Sequence, residues 1–239
     1  MRKIIAVLTL AMLSMSQLMA QNLVYDENAE IREVGAFNGI EVSGGMILYI
    51  SQGAECAVAV SAEDRQFVSK IKTEVRDGVL HIVPQGGAWN GWNWGNKQLK
   101  AYITVKNLQL LRLRGAASVR LANEVAVNAL RIEITGASSL KGALKGNAVK
   151  VEVSGASRAE LSGSLTVFSV EVSGASTVRA YELSAATCSV EASGASNAQV
   201  TATKELSLQA SGASNVSYKG EAVVKKLESS GASNVRKRD

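Results

Sequence analysis

The sequence predicts an all-β protein, a right-handed parallel β-helix (solenoid) with coils of about 19 residues. Three observations lead there. A Gly-Ala-Ser triplet recurs at Gly136, Gly155, Gly174, Gly194, Gly212 and Gly231, with looser copies at Gly115 (GAAS) and Gly44 (VSGG). From Gly115 onward the glycines are 21, 19, 19, 20, 18 and 19 residues apart. The residues leading into each glycine alternate between apolar and polar, which is the period of a strand with one buried face.

The alternation is read by aligning the copies on their glycines. Four residues before the glycine stand Ile40, Leu111, Ile132, Val151, Val170, Val190, Leu208 and Leu227, all apolar. Three before it stand Glu41, Arg112, Glu133, Glu152, Glu171, Glu191, Gln209 and Glu228, all polar. Two before it the apolar character returns, with Ser229 as the exception. β-Branched residues fill many of the inner positions, as a pleated surface prefers. Each coil is expected to hold two or three short strands. A single coil cannot bury its inner face, whereas stacked coils make the inner columns one continuous core. Asn197, Asn215 and Asn234 share one column just beyond the turn.

Residues 1–20 have a short basic start at Arg2 and Lys3, an apolar run from Ile4 to Leu13, and a small residue before Gln21, the layout of a cleavable secretory signal. Residues 21–30 form an N-terminal extension, and residues 31–239 a single β-helix domain, irregular over 45–110 and regular over 111–239. No cysteine closely follows the apolar run, which argues against a lipid anchor, and the mature chain has no transmembrane segment. The protein is therefore expected to be exported to the periplasm, the outer surface or the extracellular space. Losing Arg2 and Lys3 lowers the formal charge from +5 to +3, and the charges are scattered, so nucleic acid is not an expected partner.

Within 45–110, MILYIS and CAVAVS alternate, and IKTEVRDGVLHIV reads as two strands joined at Asp77-Gly78, a hairpin dipeptide. This part is expected to continue or cover the N-terminal end of the stack. At the other end Lys225, Ser229 and Lys237 are expected in columns held elsewhere by apolar residues, forming a polar C-terminal cap.

Candidate chemistry is sparse. Trp89, Trp92 and Trp94, the only tryptophans, fall in GGAWNGWNWGN together with Asn90 and Asn93. The glycines and asparagines mark a loop, and indole faces with neighbouring amides suit a sugar ring or a protein surface. The same loop could instead fold back and seal the open end of the solenoid, and the sequence leaves both readings open. The glutamate column is expected to be a solvated ladder, partly neutralised by Arg131, Lys150 and Lys226, rather than a calcium site. Cys56 and Cys188 are expected as two separate thiols, and His81 is the only histidine. No cofactor or metal is expected. The paired carboxylates or Asp/Lys/Arg cluster of a β-helical lyase or glycosidase find no counterpart in the regular repeat, which points away from an enzyme.

FNGIEVSGGMILYISQG, the IKTEVRDGVLHIV hairpin, the re-entry ITVKNLQLLRLRGAASVRL and the Gly-Ala-Ser coils together resemble the "putative auto-transporter adhesins" with a "head GIN" domain, over about residues 31–235. The resemblance implies a right-handed β-helix and a role in adhesion. The chain lacks the run of amphipathic strands that a translocator barrel would need, so it is not expected to be a complete autotransporter. The expected function is a secreted, non-enzymatic binding module for glycan or protein. A structural envelope protein without a specific ligand, or a β-helical carbohydrate-active enzyme, are the alternatives.

Overall fold

The computed structural model describes residues 26–85 and 98–239. The predicted signal segment therefore lies outside the described residues.

The first strands are β1 (Glu30–Arg32), β2 (Gly39–Gly44), β3 (Met46–Gln52) and β4 (Ala57–Ala62). A 3-10 helix, Arg65–Lys70, leads to β5 (Ile71–Arg76), β6 (Val79–Pro84) and β7 (Leu99–Val105). Then come β8 (Leu110–Gly115), β9 (Ser118–Leu121), β10 (Val125–Ile134), β11 (Ser139–Val153), β12 (Arg158–Val172) and β13 (Thr177–Ala192). The chain closes with β14 (Asn197–Ala210), β15 (Asn215–Lys219), β16 (Val223–Ser229) and β17 (Asn234–Lys237).

From β8 to β17 the strands stack in parallel, each coil on the last. Glu133 registers with Glu152, Glu152 with Glu171, and Glu171 with Glu191, as the glycine alignment predicts. The inner column Leu130, Val149, Phe168, Cys188, Leu206 runs through the same registers and is buried throughout. The expected short strands merge into long bent ones from β11 onward. The bend shows in the burial parity. In β11 Leu140 and Leu144 face inward, then Val149, Val151 and Val153, so the phase slips by one between them. The ladder runs unbroken through the bend between β11 and β12, and register shifts at the bends of β13 and β14 absorb the unequal coil lengths.

The Gly-Ala-Ser corner is tightly built. Gly174 has a φ of +71°, and a Cβ there would lie 2.6 Å from the Gly155 carbonyl oxygen of the preceding coil. Only glycine permits both the backbone angle and the approach. The serine turns inward. Ser157 Oγ donates to the Gly136 carbonyl at 3.2 Å and accepts from the Ser138 N–H at 3.3 Å, so the buried hydroxyl is satisfied. Asn197, Asn215 and Asn234 fall in register, as expected.

The irregular part covers the N-terminal end. β2 lies directly on β8, with Gly44 opposite Gly115, although 70 residues separate them in sequence. The intervening chain doubles back. β6 adds to β2 and β7 to β3, both in parallel, making one further coil. The stack then ends in reversed strands: β5 antiparallel to β6, β4 to β7, and β1 to β4.

This end is latched by Asp26. Its Oδ1 accepts from Ser61 Oγ at 2.8 Å and from the Asn28 backbone N–H at 3.2 Å. Its Oδ2 accepts from Tyr102 Oη at 2.8 Å, with Lys100 Nζ at 3.5 Å. Burial pushes this carboxyl up, but the hydrogen bonds from Ser61, Tyr102 and Asn28 and the Lys100 charge together hold it below the usual aspartate value. Burial, and then the bond to Asp26, push the Tyr102 phenol up. A carboxylate with a depressed folded value stabilises the fold above its ordinary pKa of about 3.9, and loses that contribution as pH falls through the lowered value. Asp26→Ala is expected to cost about 1–3 kcal/mol near neutral pH. Thermal unfolding of parent and variant, followed from neutral to acid pH, should show the gap close toward the acid end; a gap constant with pH would refute the latch.

The C-terminal end differs from the expected polar cap in one respect. A register shift between Leu206 and Ser207 puts Val224, not Lys225, opposite Leu206. Lys225 bulges outward to Glu205, with Nζ 3.5 Å from Oε1. A long charged side chain keeps its head in water, and a terminal coil with one neighbour lets the strand slip to allow it. Ser229 does stand opposite Ala210, and Lys237 opposite Tyr218.

Candidate binding surfaces

Each coil presents a face that ends at the Gly-Ala-Ser corner, and its polar column is the predicted row of glutamates. Basic side chains staple the first part of the row across coils. Arg112 sits 3.6 Å from Glu41 and 2.9 Å from Glu133, and Arg131 joins Glu133 at 2.6 Å to Glu152 at 3.0 Å. Lys150 joins Glu152 at 2.9 Å to Glu171 at 2.6 Å. Burial pushes the Glu133 carboxyl up, but Arg131 and Arg112 outweigh it and hold it below the usual value.

Beyond Glu171 the staples stop. Glu191 makes no ion pair with a described residue, Gln209 breaks the charge, and Gln209 Nε2 donates to Glu228 at 2.7 Å. Here serines flank the row on both sides. Ser169 and Ser189 are hydrogen-bonded at 3.1 Å on one side, and Ser173, Ser193 and Ser211 stand beside the corner on the other. An open groove of about 700 Å³ runs along the corner side of the whole row, from Glu133 and Thr135 to Glu228 and Ser230, floored by carboxylates, an amide and hydroxyls at one sheet spacing. Such a floor can accept hydrogen bonds from, and donate them to, a polyhydroxyl chain. Among the described residues no group of three or more His, Cys, Asp or Glu is placed to hold a metal ion.

Trp89, Asn90, Trp92, Asn93 and Trp94 lie in 86–97, outside the described residues, but both anchors of their segment are defined. β6 runs along β2 with Ile82 opposite Val42, and a Cβ on Gly44 would meet Pro84 Cγ at 3.1 Å. β7 begins at Leu99, opposite Met46. Only Gly45 separates β2 from β3, whereas 14 residues separate β6 from β7. The ends of β6 and β7 thus flank the corner position of the outermost coil. The groove starts along the same corner, three coils away at Glu133 and Thr135, or about 14 Å at one strand spacing per coil.

The other sequence candidates are placed apart from these. Cys188 sits in the inner column between Phe168 and Leu206, where burial alone pushes its thiol up to about 12. Cys56 is half-buried, with Sγ 3.4 Å from the Phe37 carbonyl oxygen, and both thiols are free. His81 registers with Glu41 on one side and Glu74 on the other. Sequence reasoning had no sign of the Asp26 latch, since its partners Ser61, Lys100 and Tyr102 come from separate strands.

Three solved structures share the fold. One described as a "putative adhesin" from Bacteroides fragilis is 19% identical, covers 88% of this chain and 96% of its own, and superposes with a TM-score of 0.81. A "putative adhesin" from Parabacteroides distasonis is 18% identical over 87% of this chain and 95% of its own, with a TM-score of 0.67. A "putative lipid binding protein" from the same species is 21% identical over 90% and 98%, with a TM-score of 0.64. At these identities the likeness is one of fold. No curated protein matches the chain. The family model described as "putative auto-transporter adhesin, head GIN domain" matches residues 36–222, the hairpin, the re-entry and nearly all the coils, and the chain belongs to that family.

Proposed function

We propose that this chain is an exported, non-enzymatic attachment module that holds a surface glycan or protein, with Trp89, Trp92 and Trp94 as the leading contact and Asn90 and Asn93 supplying hydrogen bonds. The observation that carries this reading is the 14-residue segment between β6 and β7, where the neighbouring coil needs one residue. Stacking does not need so long a connection, and clustered aromatic residues suit a flat ligand face. The rigid strands on either side would hold the contact in place. The groove along the same corner adds carboxylates and hydroxyls that an extended glycan could reach. Membership of a family of described adhesins supports attachment as the role. The absence of catalysis is supported by the carboxylates, which recur in a column and are stapled by cations over much of its length, rather than forming an isolated acid–base pair.

A glycan array probed with the exported chain and with a Trp89→Ala/Trp92→Ala/Trp94→Ala variant tests this, circular dichroism reporting that both fold. Each stacked ring is worth about 0.5–1.5 kcal/mol beyond its buried area, so the triple variant should lose about tenfold or more in affinity. Binding that survives in the variant would move the site to the groove. A variant that does not fold would make the tryptophans a seal for the end of the stack. No binding by either chain, to glycan or to surface protein, would leave a structural envelope role.

A further inference from the structure

The two ends of the stack are unlike, and their difference is complementary. At the C-terminal end β16 is hydrogen-bonded only to β14, and β17 only to β15, so both present unpaired backbone groups. The apolar inner columns are left open there. Leu227, in the column of Val190 and Leu208, is 51% exposed, and Val224, in the column of Phe168, is 37% exposed. Earlier members of both columns are buried. This end is also basic: residues 219–239 hold six basic side chains and three acidic ones, and Arg236 and Arg238 make no ion pair with a described residue.

The N-terminal end is acidic. Residues 26–85 hold ten acidic side chains and five basic ones, whereas residues 98–239 hold 11 acidic and 18 basic. Its outer strands are β1, stacked on β4, and β5, stacked on β6; Arg32 ties β1 to the 3-10 helix, its guanidinium donating to the Val68 carbonyl at 2.9 Å. Glu30 engages Arg32 and Arg65, and Glu74 engages Lys72 and Arg76. Glu27, Glu33 and Glu63 remain exposed and without an ion pair to a described residue. β1 and β5 are themselves edge strands, each paired on one side, and Ile31 on β1 is 83% exposed.

We infer that the basic C-terminal end of one chain docks on the acidic N-terminal end of a second copy, the open edges of β16 and β17 meeting the outer strands of that copy. An edge strand takes an added strand through its unpaired backbone, and alternate apolar side chains fix the register. Two basic ends repel each other, which excludes tail-to-tail pairing and leaves the acidic end as the complement. The contact is heterologous and does not close on itself, so it produces an open series of species rather than a fixed dimer.

Sedimentation velocity on the exported chain, from micromolar to about 1 mM, tests this, since a weak contact shows itself in that range. The expected result is a weight-average mass that grows past the dimer with concentration and falls as salt rises from low ionic strength, because exposed charges are screened within about 10 Å at 0.1 M. A tail variant, Leu227→Glu/Arg236→Glu, and a head variant, Glu33→Arg/Glu63→Arg, change exposed positions, and circular dichroism checks their folding. Each alone should weaken association about tenfold or more. Mixed together they should form dimers and stop, since each supplies the end that the other has lost. A strictly monomeric parent, a parent that stops at two, or a mixture that stays monomeric would each overturn the inference.

Discussion

Gly163→Ala is expected to destabilise the protein by about 3 kcal/mol or more, a large share of the stability of an ordinary domain. Gly163 lies inside β12 at a bend of the coil, with a φ of +115° that residues bearing a Cβ rarely adopt. That Cβ would overlap the carbonyl oxygen of Leu144, which belongs to the preceding coil. Backbone cannot swing aside as a long side chain can, so either the spacing between two coils opens or the bend is redrawn. Both disturb ladders on each side, because every coil rests on its neighbours. Gly35→Ala is the control. Nothing lies within 4 Å of its virtual Cβ and its φ is not in the left-handed region, so a change within about 0.5 kcal/mol is expected. Urea unfolding midpoints of the two variants measure the difference, and equal midpoints would show that the coil spacing is not rigid.

Such tight stacking is why so much of the fold could be read from the sequence. The glycine column, the buried serine after it, and the alternation before it are all consequences of one coil lying on another, and each leaves the same mark in every repeat. The limits fall where that repetition stops. VLHIVP is in fact another coil strand, with Leu80 and Ile82 registered on Ile40 and Val42, but it lacks the glycine that would have aligned it. The hairpin at Asp77-Gly78 was legible; that its second strand joins the solenoid was not. Counting back from Gly231 places Lys225 inward, and the one-residue shift in β16 that turns it outward leaves no mark in the repeat. For the candidate sites, composition marked the tryptophan segment and the glutamate column. Only the pairing of β6 with β2 and β7 with β3 shows that the strands on either side of that segment flank the corner of the outermost coil. The break in the basic staples after Glu171 needs both neighbours of each carboxylate to be known.

Phe168→Ala should be comparably severe, at about 3–5 kcal/mol. Phe168 is fully buried, the largest such side chain among the described residues, and stands between Val149 of the coil before it and Cys188 of the coil after it. Neither neighbour is large enough to fill the void, and the parallel registers on both sides prevent the coils from collapsing into it. Leu227→Ala removes a similarly apolar side chain from the neighbouring column, yet should cost no more than about 1 kcal/mol in the dilute chain, because Leu227 is half exposed and has a coil on one side only. Urea unfolding at submicromolar concentration compares the two. A Leu227 loss as large as that of Phe168 would mean the C-terminal end is covered within the single chain, and nothing would then be left there for a second copy to bury. A small loss in the dilute chain, joined to weakened association at high concentration, would place the work of Leu227 between chains rather than within one.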